Sequence, residues 1–226
     1  MKLFAKKFIA AGLCFNLVLA LAGCGGHETP VTLGCLGSPN AYLVNQDQLA
    51  QRAEENQQLW QSPRAARDLA HAGIDAERIV LMRSKQLPLG FSDVAQYRQF
   101  KQELDAALRA ENLVDATLSL SGTATTFYSD NPGKPLGHYW DDGVLEPSDF
   151  DMAISSETLA TRLCSAGISV DKVFQVFGTS EIYAAYPALG EFTSKWSESL
   201  GRPVHIVGLP PARALKASDY VWQVAD

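Results

Sequence analysis

The sequence predicts an α/β (α+β) domain: a small mixed β-sheet flanked by helices. Three observations lead there. The segment SDVAQYRQFKQELDAALRAEN places Tyr97, Phe100, Leu104 and Leu108 three and four residues apart, the spacing of a buried helical stripe. Ala116 to Ser121 (ATLSLS) alternates strictly, with Leu118 and Leu120 on one face, as a half-buried strand does. Val204 to Leu209 (VHIVGL) is a short apolar run after Arg202-Pro203, which also reads as a strand.

The remaining elements follow in chain order. A first helix is predicted over about 46 to 59. In the second, Ser62 caps, Pro63 takes the first helical position and Gly73 terminates. Ile79 to Met82 is a short apolar run between polar residues and LPLG. Ser92 caps the long helix, about 93 to 111, and the strand ATLSLS then runs into Gly122-Thr123. A long polar insertion precedes PSDFDMAI, where Asp149 and Asp151 flank Phe150 at the start of a second strand. Another helix covers about Ser156 to Ala166, ended by Gly167, and the last about 187 to 200. Pro187 starts that last helix, Leu189, Phe192, Trp196 and Leu200 mark its buried stripe, and Gly201 stops it. The core order is helix, strand, insertion, strand, helix, helix, strand.

Ahead of the domain lies a different composition. Lys2, Lys6 and Lys7 precede an apolar run from Phe8 to Ala22, too short to span a bilayer comfortably and suited to an export signal. The run ends in Leu21-Ala22-Gly23-Cys24, which resembles the lipobox of bacterial lipoproteins. That resemblance implies cleavage after residue 23, acylation of Cys24 and a membrane anchor. Gly25 after the cysteine favours the outer membrane, facing the periplasm. Residues 25 to 41 are rich in Gly, Pro and Thr and are expected to be a tether. The expected organisation is a signal at 1–23, a tether at 24–41, and one domain at 42–226 with an N-terminal helical extension.

Charge and cysteine content narrow the classes further. The chain carries a formal charge of −6, and loss of the three signal lysines leaves −9. So acidic a chain has no general attraction for nucleic acid or anionic lipid. Of four cysteines, Cys35 and Cys164 remain once the signal and lipid sites are set aside. An exported protein permits one disulfide between them, and two reduced thiols are the alternative.

The chemistry concentrates at Asp149 and Asp151. Side chains alternate along a strand, so both carboxylates face one way, about 7 Å apart at their Cα atoms. Two such carboxylates suit Mg2+, which completes its octahedron with water and substrate phosphates. Taken alone, the pair also fits a solvated strand edge. A strand ending in Gly-Thr followed by a strand carrying D-F-D resembles the nucleotidyltransferase fold of the DNA polymerase beta-like superfamily. LPLGFSD, RQFKQELDAAL, TLSLSGTATTFYSDNPGKP and PSDFDMAI together look like a bacterial branch of it, over about 85 to 160.

The resemblance implies that Gly122 and Thr123 cradle a triphosphate and that Asp149 and Asp151 bind catalytic metal. Glycine admits close approach of backbone amides to phosphate, and the neighbouring hydroxyl can donate to it. Lys134, in N-P-G-K-P, is the candidate to meet a phosphate, while Tyr128, His138, Tyr139 and Trp140 are candidates to stack on a base. Three features depart from the family pattern. Thr123 replaces serine, HYWDDGVLE lengthens the gap before Asp149, and the third strand has no acid. His205 or Glu181 would have to stand in for that acid.

Three functional readings remain. The domain is a non-catalytic envelope module that binds a nucleoside triphosphate or an envelope protein, a reading favoured by the missing third acid, while the scarcity of nucleoside triphosphates outside the cell counts against routine catalysis there. Alternatively it is an active Mg-dependent nucleotidyltransferase delivered elsewhere, or an unrelated structural lipoprotein. No G-x-S-x-G occurs, and neither Cys35 nor Cys164 has a histidine close in sequence, which argues against serine or thiol hydrolases.

Overall fold

The computed structural model describes residues 35–36, 46–143, 147–172, 175–211 and 219–224. The signal segment, Cys24 and most of the stretch read as a tether lie outside them. Within the described residues no helix is long and apolar enough to cross a membrane. Among the described residues, eight helices and a four-stranded mixed sheet make an α/β fold.

Helix α1 (Gln46–Trp60) is followed by α2 (Pro63–His71), α3 (Ala76–Arg83) and α4 (Val94–Ala110). Strand β1 (Thr117–Ser121) leads through a single helical turn, α5 (Thr123–Thr126), towards β2 (Phe150–Ser155). Then come α6 (Glu157–Ser165), α7 (Thr179–Ala185), α8 (Pro187–Leu200), β3 (Val204–Leu209) and β4 (Tyr220–Gln223). The sheet order is β3-β2-β1-β4. β1 runs antiparallel to both β2 and β4, and β2 runs parallel to β3.

Alternation sorts each strand into two faces. Leu118 and Leu120 of β1, Phe150, Met152 and Ile154 of β2, and Val204 and Ile206 of β3 enter the core. The stripe of α4 meets them and the stripe of α8: Phe100 packs 5.0 Å from Phe192 and 5.1 Å from Trp196, both edge-on. Phe91 sits 5.0 Å from Phe150 and joins these rings to the sheet. Such aromatic pairs contribute about 0.5–1.5 kcal/mol each beyond the area they bury. Leu200, expected in the α8 stripe, is only partly buried.

The caps differ from expectation in two places. Ser62 holds the capping position of α2 but its hydroxyl donates to Leu59 O at 2.8 Å, so it does not cap the helix. Asp93, not Ser92, caps α4: its carboxylate accepts Gln96 N at 2.9 Å, and Gln96 Oε1 accepts Ser92 N in return at 2.7 Å. At α6 Ser156 accepts Leu159 N at 3.0 Å, and Asp115 reinforces the same helix start by accepting Ser156 Oγ and Thr158 N. The apolar run Ile79 to Met82 is helical, within α3, which Asp75 caps.

Two further ties set the boundaries of the domain. Cys35 and Cys164 form a disulfide, with Cα atoms 5.7 Å apart, and Cys35 O accepts Val170 N at 3.1 Å. Cys35 and Leu36 are therefore packed on the core, inside the stretch read as tether. On the other side, the outward edge of β3 is covered by side chains of α7 and α8. Tyr183 Oη donates to Val204 O and accepts Ile206 N, Ser197 Oγ accepts Val204 N at 2.9 Å, and Phe177 bridges Gly208 through both backbone groups.

Candidate functional site

The open end of the sheet is built by three strands. Asp151 is the cross-strand partner of Ser121 on one side and of His205 on the other, so the three side chains share the face away from the core. Asp151 and His205 are exposed and Ser121 is half-buried. Asp149 stands just ahead of β2, and His205 Nε2 lies 3.9 Å from Asp149 Oδ2. Both groups are more than two-fifths exposed, so solvent screens the pair and leaves it weak as a stabilising contact.

Gly122 turns the chain out of β1 at φ +79° and ψ −163°, a region open essentially to glycine alone. A Cβ added there would stand 3.3 Å from Asp151 Oδ2, so the carboxylate lies directly against the turn. Gly122 O accepts Thr125 N, Thr126 N and both threonine hydroxyls, which winds Thr123–Thr126, three of them threonines of low helix propensity, into α5. Thr123 is half-buried at the head of this turn. Phe127 closes it at φ +66° and ψ −56°, a strained conformation for a buried aromatic residue.

The other candidates are engaged elsewhere. Lys134 Nζ lies 3.4 Å from His138 Nε2, and His138 Nδ1 lies 2.6 Å from Asp142 Oδ2. Arg52 of α1 holds that loop by donating to Lys134 O at 3.0 Å. Tyr128, His138, Tyr139 and Trp140 are all buried, so these rings serve packing rather than an open stacking surface. Tyr128 Oη donates to Asp68 Oδ2 at 2.9 Å, a salt-bridged carboxylate shared with Arg64. Burial and that carboxylate together push the Tyr128 phenol well above its usual range. Glu181 accepts Ser180 Oγ and folds over Gly178, next to the Phe177–Gly208 bridge, at the opposite end of β3 from His205.

Two carboxylates on one face are the oxygen donors that Mg2+ uses when phosphates and water complete its shell. Among the described residues no group of three His, Cys, Asp or Glu side chains converges to make an all-protein cage. Reading the sequence missed two participants: Ser121, the cross-strand partner of Asp151, and the Arg202–Asp141 pair behind Asp149. Alternation from Leu120 places Ser121 on the open face, whereas Arg202 and Asp141 are 61 residues apart and carry no local signal.

Compared with known proteins, the chain matches no protein family, no curated protein and no solved structure.

Proposed function

We propose that this chain is an exported lipoprotein, anchored through Cys24, whose domain binds a magnesium-bound nucleoside triphosphate at the open end of its sheet. The observation that carries the reading is the placement of Asp151: against the Gly122 turn, on the strand paired with β1. In this reading the turn at Gly122 and Thr123 receives phosphate oxygens, and Asp149 and Asp151 hold the cation. Mg2+, when bound, supplies the positive charge that lets phosphates approach two carboxylates. The domain then acts as a ligand-binding module of the envelope.

Calorimetry of the soluble domain with Mg2+ and each nucleoside triphosphate tests this directly. Saturable heat is expected for the wild type and none for Asp149→Asn with Asp151→Asn. Because Asp149 and Asp151 are solvent-accessible, that double variant should keep the wild-type circular dichroism and melting temperature. Absence of binding by the wild type at millimolar nucleotide would reject the reading. The anchor has its own test, since intact mass should show a blocked, diacylated or triacylated residue 24.

A second reading is favoured by one contact. His205 lies 3.9 Å from Asp149, where an imidazole could accept the proton of an attacking hydroxyl in place of the missing acid. The chain would then be an Mg-dependent nucleotidyltransferase. Pyrophosphate release with candidate acceptors, lost in His205→Ala while nucleotide binding persists, separates catalysis from binding.

A further inference from the structure

Asp149 is the single residue between two fastened neighbours. On one side Ser148 O accepts Arg202 Nη1 at 2.8 Å; on the other Phe150 N donates to Pro203 O at 2.9 Å. Arg202 is itself fixed in three directions. Its Nη1 and Nη2 reach Asp141 Oδ1 and Oδ2 at 3.1 and 3.0 Å, and its guanidinium lies 4.4 Å over the Trp140 ring. Asp141 and Ser148 close the ring of contacts reciprocally: Ser148 N donates to Asp141 Oδ1 at 3.0 Å and Asp141 N to Ser148 Oγ at 3.1 Å. Only 16% of the Arg202 side chain is exposed, so the paired charges are largely shielded from solvent. Trp140 and Asp141 belong to HYWDDGVLE, the insertion that lengthens the gap before Asp149.

We propose that Arg202 is a positioning residue for the acidic pair. Its guanidinium fastens Ser148 on one side of Asp149, while the next residue, Pro203, holds Phe150 N on the other, so that this carboxylate is presented beside His205 on the open face. The insertion thereby acquires a use: it supplies the ring and the carboxylate that hold the arginine. The functional sense of the clamp rests on the cation-binding reading above, but its mechanical sense does not.

The test separates positioning from general support. Mn2+ is the probe, titrated by electron paramagnetic resonance in the presence of ATP. Arg202→Met should weaken Mn2+ binding about tenfold or more, as loss of an orienting partner commonly does. The same change made in an Asp149→Asn background should add little, because Arg202 acts through Asp149. Hydrogen exchange gives a reading free of any ligand: the Phe150 amide should lose protection selectively, with Met152 and Ile154 unchanged. If Arg202→Met fails to fold, Asp141→Asn carries the same test with the arginine retained.

Unchanged Mn2+ affinity in Arg202→Met, or equal losses in both backgrounds, overturns the proposal. So does uniform loss of protection along β2, the mark of simple destabilisation. Should the wild type bind no Mn2+, the cation-binding reading falls and the exchange pattern alone decides the clamp.

Discussion

The carboxylate of Asp151 lies against Gly122: a methyl group on that glycine would come within 3.3 Å of Asp151 Oδ2. The contact joins the end of β1 to the start of β2 and makes the turn and the acid one unit. Gly122→Ala should therefore act twice. The φ of +79° with ψ of −163° costs a side-chain-bearing residue about 1–3 kcal/mol, and the methyl would displace the carboxylate. Urea melts should show the loss in stability, and calorimetry with Mg2+ and ATP should show loss of binding.

Gly90→Ala should be more damaging to the fold than to the site. A Cβ there would fall 2.7 Å from Phe150 Cζ and 2.8 Å from Trp140 Cζ2, with φ at +89°. Both rings are buried and cannot swing clear. Overpacking of this kind costs about 1–3 kcal/mol before the backbone strain is added. A lower midpoint in chemical denaturation, with an unchanged slope, is the expected result.

Breaking the disulfide should loosen the domain globally. Cys35 and Cys164 are 129 positions apart, so the bridge restrains a long loop of the unfolded chain. Replacing both by serine should cost about 2–5 kcal/mol, and neither Cys35 nor Cys164 should titrate as a free thiol in the protein purified under non-reducing conditions. Thiol titration in denaturant checks the second point independently of the first.

Acid should weaken the clamp behind Asp149. Burial alone would raise the Asp141 carboxyl, but hydrogen bonds from Arg202 and Ser148, with the charge of Arg202, outweigh it and hold the group below its usual range. A carboxyl depressed on folding contributes stability that is complete above its unfolded value of about 3.9 and is lost as pH falls through the folded value. Urea melts between about pH 5 and about pH 2 should therefore fall less steeply for Asp141→Asn than for the wild type.

Legibility from sequence followed periodicity. The stripes of α4 and α8 and strand β2 carry three or more in-phase apolar positions, while β1 carries two in strict alternation and β3 is a short apolar run, and all are legible as such. Three short elements were not. α5 is three threonines and an alanine, a short turn wound mainly by the carbonyl of Gly122 and closed by Phe127 N on Thr123 O. β4 has four residues, and α7 has seven with a single fully buried position, Ile182. The cap of α4 was misplaced by one residue because Ser92 and Asp93 are adjacent and both able to cap. In the site, the alternation of Asp149 and Asp151 at the start of β2 is legible in the sequence. The contacts of Asp149 with His205 and of Arg202 with Asp141 join distant segments, and only folding brings them together.

The covering of β3 by Tyr183, Ser197 and Phe177 has a consequence for how copies of this chain meet one another. A sheet margin with unmet amides is a template on which another strand can add, and that is how many β-containing chains aggregate. Here the outward amides of Val204, Ile206 and Gly208 are already bonded within the molecule. Among the described residues the other margin of the sheet is β4, only four residues long. If the proposed anchor concentrates the chain at a surface, copies would meet constantly, and a capped margin would keep such encounters from becoming a shared sheet.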